Sequence, residues 1–125
     1  PKLRMKNMTV ERLHVSKRFS EIAIAGNLVH LAGQLATDVE LDIKGQTQQT
    51  LDIIDQFLAD AGTDKSHIMS VTIYLKDIEH DYAAFNEVWD AWVADIEALP
   101  RTCVEAKLYD PRVLVELTVV AVKPE

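Results

Sequence analysis

The apolar positions of this chain change period several times, and the changes mark out its elements. Short alternating or all-apolar runs read as strands: 9–15, then Glu21-Ile22-Ala23-Ile24-Ala25, then Leu28-Val29-His30-Leu31-Ala32. Gly26-Asn27 joins the last two as a tight hairpin turn. Over 42–61 the spacing lengthens to three and four, through Ile43, Thr47, Leu51, Ile54, Leu58 and Ala61. That is the stripe of an amphipathic helix, with Asp42 to cap its start and Gly62 to end it. Period two returns over 68–75, with Val71, Ile73 and Leu75 on one face and Thr72 and Tyr74 on the other. A second helix is predicted over 81–98 on a stripe of Tyr82, Phe85, Trp89, Trp92 and Ile96, and Leu99-Pro100 stops it. Two further strands, 101–108 and 113–122, flank Tyr109-Asp110-Pro111-Arg112.

The order β-β-β-α-β-α-β-β predicts an α+β sandwich, a mostly antiparallel six-stranded sheet with two helices on one face. One strand does not suit a sheet whose other face is wet. In 113–122, Val113, Val115, Leu117, Val119 and Ala121 line one side, and Leu114, Val120 and Val122 make the other side apolar too. An antiparallel strand with a solvated face alternates more cleanly. The second face is therefore expected to be covered by another copy of the chain.

Glu116 and Thr118 interrupt that second side. A carboxylate in a β-branched, apolar strand is costly unless it is paired, hydrogen-bonded or functional. The preceding strand opens with Arg101-Thr102-Cys103-Val104, and a guanidinium is a planar, bidentate partner for a carboxylate. A tight hairpin about Asp110-Pro111 sets Cys103 opposite Thr118 and Glu105 opposite Glu116. Arg101 and Glu116 then share a face, while Val104, Ala106 and Leu108 turn to the helix-covered core. A bulge would reverse this parity. Two readings of Arg101 stand open: it neutralises Glu116, or it binds a ligand carboxylate and leaves Glu116 to handle a water.

Composition narrows the chemistry. The length of 125 residues suits one domain, 1–125, and 48% apolar with 26% charged residues is neither disordered nor membrane-like. The basic start Pro1-Lys2-Leu3-Arg4 is followed by no signal-peptide apolar stretch, so a cytoplasmic location is expected. A formal net charge of -7 with scattered Lys and Arg argues against nucleic acid. Cys103 is the single cysteine and has no evident histidine partner, so it reads as packing rather than a nucleophile. His14, His30, His67 and His80 lack metal-ligand spacing, and no phosphate-binding glycine loop or serine elbow is present. Neither a metal nor a cofactor is expected.

Leu31-Ala32-Gly33-Gln34, the helix over 46–62, Val71 to Asp77, Phe85-Asn86-Glu87-Val88-Trp89, Pro100 to Glu105 and Val115-Glu116-Leu117 together resemble the Rid family, also called the YjgF/YER057c/UK114 family. Older usage calls members endoribonucleases of the L-PSP type. The resemblance covers nearly the whole chain. It implies a chorismate-mutase-like fold and a homotrimer with clefts between subunits. It implies hydrolysis of small 2-imino or enamine acids to 2-oxo acids and ammonia, as by a 2-iminobutanoate/2-iminopropanoate deaminase. Arg101 would pair with the substrate carboxylate and Glu116 would orient or activate water. Phe19, Gly33, Asn86 and Cys103 would line the cleft. The chain departs from the archetype in two places. Arg18-Phe19-Ser20 stands where members carry Pro-Tyr-Ser, and Ala32 stands where Ser is usual. A non-catalytic trimeric binder of small carboxylates is the alternative, favoured by the missing tyrosine hydroxyl at Phe19.

Overall fold

The computed structural model describes residues 9–124; the basic start lies outside them. Six strands form one sheet: β1 (Glu11–Val15), β2 (Ser20–Ala25), β3 (Leu28–Gln34), β4 (Ile68–Leu75), β5 (Arg101–Glu105) and β6 (Val115–Val122). Two helices, α1 (Ile43–Asp60) and α2 (Ile78–Trp92), pack against it. Asp42 caps α1 by accepting from the Gly45 N–H at 2.9 Å. Gly62, at φ 86°, takes the left-handed step that ends α1.

The second helix starts earlier and stops sooner than its apolar stripe suggests. Asp77 caps it by accepting from the His80 N–H, so helix begins at Ile78 rather than Asp81. It ends at Trp92, not Ala98, because Trp92 is held by contacts distant in sequence. Its indole N–H donates to Asp55 at 3.1 Å, and its carbonyl accepts from the Lys65 ammonium. Ile96 therefore lies outside the helix.

The sheet order is β1-β2-β3-β6-β4-β5. All neighbours are antiparallel except β4 and β5, which are parallel. This overturns the expected hairpin between the last two strands. β5 ends at Glu105 rather than running to Leu108, and β6 begins at Val115 rather than Val113. The segment between them crosses β4 and delivers β6 to the middle of the sheet. A turn fixes this crossing: Arg112 donates to Asp110 from its backbone N–H at 2.8 Å, from Nε at 3.1 Å and from Nη2 at 2.8 Å. Central placement follows from composition, since β6 buries Val115, Leu117, Val119 and Ala121 completely or nearly so. β5, with exposed Thr102 and Val104, takes the edge.

One cross-strand row shows which residues share the helix-covered face. Leu13, Ile22, Leu31, Val119, Val71 and Arg101 stand opposite one another in turn from β1 to β5. Ile22, Leu31, Val119 and Val71 are buried there with Leu51, Ile54 and Leu58 of α1 and Phe85 and Trp89 of α2. The row thus ends in a cation. The other face carries Ala23, His30, Val120 and Ser70 in one row and Ala25, Leu28 and Val122 in another, all exposed or half-buried. No helix of the described residues is long and apolar enough to cross a membrane.

Candidate functional site

The two groups singled out from the sequence lie on opposite faces of the sheet. Glu116 stands opposite Tyr74, and Tyr74 opposite Val104. Arg101 stands opposite Val71. Val71 and Tyr74 are three residues apart on one strand, so their side chains point to opposite sides. The expectation that Arg101 and Glu116 share a face fails because β5 pairs with β4 in parallel instead of with β6. By the same parity Cys103 and Glu105 turn toward α2, whereas Val104, expected in the core, is 39% exposed on the other face.

Around Glu116 the chain builds an acidic half-site. β3 carries a bulge between Leu31 and Gln34, and this brings Gly33 against the Glu116 side chain. A Cβ on Gly33 would stand 2.0 Å from Glu116 Oε2 and 2.9 Å from its Cδ. Glycine is required there for close approach, not for its backbone angle. Glu116 makes no ion pair among the described residues. Burial raises its carboxyl above the ordinary 4.5. Together with Phe19, Leu35, Ile53 and Phe57, Gly33 and Glu116 line a cavity of about 1000 Å³. Phe19 projects from a tight turn in which the Ser16 hydroxyl donates to its carbonyl at 2.8 Å, and it is 52% exposed.

Around Arg101 lies a cationic half-site on an aromatic bed. The guanidinium carbon is 5.8 Å from the Tyr82 ring centroid, 5.8 Å from that of Phe85 and 5.3 Å from that of Trp89. Nη2 donates to the Tyr82 hydroxyl at 3.2 Å. Nη1 is buried without a hydrogen-bond partner, and so is Oδ1 of Asn86 on the same helix. Arg101 makes no ion pair among the described residues. Beside it, burial pushes the Cys103 thiol up, against a smaller opposing pull from Arg101. A thiol held protonated is a poor nucleophile. Ile78, Glu79, Tyr82, Arg101 and Cys103 line a concavity of about 550 Å³.

Of the residues picked from sequence, the fold gathers Phe19, Gly33 and Glu116 into one half-site. Arg101 and Cys103 line the concavity of the other, and Asn86 sits on the helix that beds Arg101. Sequence reasoning placed Tyr82 in a core stripe and so missed its bond to Arg101. The signal was its spacing: Tyr82, Phe85 and Trp89 recur at three and four on one helix face.

This fold is that of the YjgF/Rid family, to which the chain belongs: the family model described as Endoribonuclease L-PSP matches residues 9–123. A RutC family protein of Haemophilus ducreyi is 44% identical over 112 residues, spanning 90% of this chain and 95% of that protein. The RutC family protein YoaB of Escherichia coli is 38% identical over 114 residues, spanning 91% of this chain and 98% of YoaB. Among solved structures, a YjgF family member from Neisseria meningitidis superposes with a TM-score of 0.89 at 40% identity, covering 94% of this chain and 98% of that one. An uncharacterized protein from Pseudomonas aeruginosa gives 0.88 at 44% identity, covering 93% and 100%.

Proposed function

We propose that the protein hydrolyses small 2-imino or enamine acids to 2-oxo acids and ammonia, at clefts assembled between copies in a homotrimer. The observation that carries this reading is the separation of two uncompensated charges. Arg101 and Glu116 each make no ion pair among the described residues and lie on opposite faces of one sheet, so a single copy does not bring them together. Apposition of one copy's Arg101 half-site to another's Glu116 half-site supplies both a carboxylate anchor and a group for water. The apolar residues of the second sheet face, exposed Leu28 and half-buried Ala25, Val120 and Val122 among them, support burial against other copies.

The chemistry asks little of the protein. The imine carbon is already electrophilic, so hydrolysis needs a fixed substrate and a positioned water. Arg101 fixes the carboxylate through its planar fork. Glu116, with its carboxyl raised by burial, accepts a proton from the attacking water more readily than an ordinary glutamate. Cys103 lines the concavity beside the anchor, Asn86 sits on the helix that beds it, and Phe19 and Gly33 shape the space at the acid. The water adds to the imine carbon, the proton taken up by Glu116 returns to the nitrogen, and ammonia leaves as the carbonyl forms and the hydroxyl proton departs with it.

Complementation between two inactive chains tests the reading. Arg101→Ala and Glu116→Gln should each lose imine hydrolysis, followed as an amino-acid oxidase generates the substrate. When the two variants are unfolded, mixed equally and refolded together, about one quarter of clefts should regain both groups, because each cleft draws on two chains. Recovery of activity near that level supports a shared cleft. Full activity in either variant alone, or no recovery in the mixture, rejects it. The second reading, a non-catalytic carboxylate binder, is favoured by Phe19, which offers no hydroxyl at the acidic half-site. It requires carboxylate binding without hydrolysis.

A further inference from the structure

We propose that Tyr82 is a second anion-binding group, donating its hydroxyl proton to the same carboxylate that Arg101 anchors. The inference rests on the reading of Arg101 given above and extends it to a residue on α2. The Tyr82 hydroxyl oxygen accepts from Arg101 Nη2 at 3.2 Å. A phenol has one O–H, and an oxygen that accepts from a guanidinium must turn its own hydrogen away from it. Tyr82 is 42% exposed and lines the concavity that Arg101, Cys103, Ile78 and Glu79 also line. Its hydrogen is therefore free to be donated into that space. Arg101 Nη2 carries a second N–H besides the one it gives Tyr82, whereas Nη1 is buried.

A guanidinium N–H and a phenolic O–H thus stand together, both short of an acceptor, and a carboxylate offers two acceptor oxygens. Accepting from a charged donor also polarises the phenol and makes its O–H a better donor. The other groups of the concavity do not compete for the role. Cys103 is a weak donor, Ile78 is apolar, and Glu79 is an exposed acid that makes no ion pair with Arg101. Tyr82 has a separate structural role, since its ring forms part of the bed under the guanidinium. Tyr82→Phe keeps that ring and removes only the hydroxyl.

The test is isothermal titration of 2-oxobutanoate into wild type, Tyr82→Phe and Arg101→Ala, with imine hydrolysis kinetics alongside. Tyr82→Phe should bind about 10- to 100-fold more weakly, the effect of one hydrogen bond to a charged group. Its KM should rise while kcat holds, because the carboxylate contact is the same in ground and transition states. A residue that acted only by bedding Arg101 would show neither change in the Phe variant. If Arg101→Ala loses binding and Tyr82→Phe binds like wild type, the role of Tyr82 is overturned and that of Arg101 stands. If wild type does not bind 2-oxobutanoate, or Arg101→Ala binds it equally well, both fall.

Discussion

Replacing Gly33 by alanine puts a methyl carbon where the Glu116 carboxylate now stands. The new carbon would lie 2.0 Å from Oε2, and ordinary contact begins at about 3.4 Å, so the oxygen must retreat by well over an ångström. Two costs then separate. The fold should suffer little: Gly33 does not occupy the left-handed region, and the obstruction is a side chain that can rotate. Holding Glu116 off its preferred rotamer costs about 0.5–1.5 kcal/mol. Catalysis should suffer more, since a displacement of that size can cost about 100-fold in rate. The assay is urea unfolding paired with imine hydrolysis on the same preparation. The double variant Gly33→Ala with Glu116→Asp relieves the crowding by one methylene, so it should recover stability without recovering rate. A folded Gly33→Ala variant that hydrolyses imine at the wild-type rate would refute the idea that the observed pose of Glu116 matters to the reaction.

Other outcomes follow from the same geometry. Because burial raises the Glu116 carboxyl, hydrolysis that needs the carboxylate should fall as pH drops through a value above the ordinary 4.5. Its contribution to stability runs the other way, present in full below 4.5 and lost as pH rises through the raised value, so Glu116→Gln should flatten that slope in pH-dependent unfolding. Cys103→Ser should keep most of the hydrolysis rate, and a loss above about a thousandfold in a folded variant would assign the thiol a chemical role. His14 sits at φ 54° within β1, stacks on Phe57 at 4.9 Å and lies 2.8 Å from Asp60 Oδ2. His14→Ala should therefore melt below His14→Gly, which sheds about 1–2 kcal/mol of left-handed backbone strain while losing the same contacts; equal melting temperatures would show no strain to relieve.

The helices and strands were legible because each is a local pattern with a local stop. Asp42 and Gly62 bracket α1 as their residue types suggest, and Gly26, at φ 61°, makes the hairpin turn between β2 and β3. Asp77 is an equally good cap, three residues before His80, and the apolar stripe hid it by drawing the helix start toward Asp81. The far end of α2 was not legible, since Trp92 is held by Asp55 and Lys65. Strand pairing was the larger miss. The pattern of 101–122 fits a hairpin as well as a crossover, and a choice between them depends on which strand the sheet needs at its centre. Glu116 announced itself by interrupting an apolar strand, and Gly33 only by family resemblance. Their contact depends on a bulge that no pattern marks.

That crossover also bears on how the proposed site is built. In a β5–β6 hairpin, Arg101 and Glu116 could have satisfied one another within a chain, as a paired core carboxylate with no chemistry. Inserting β6 between β3 and β4 leaves β5 parallel at the edge and sends the two charges to opposite faces. Each then bears the cost of partial burial without an ion pair among the described residues, and aromatic contacts offset only part of the cost at Arg101. Neutralising both by mutual pairing would spend the charges that anion binding and water activation require. Under the proposed assembly, separation within the chain keeps the cation open to a carboxylate and the acid open to water, and association brings the two to one substrate.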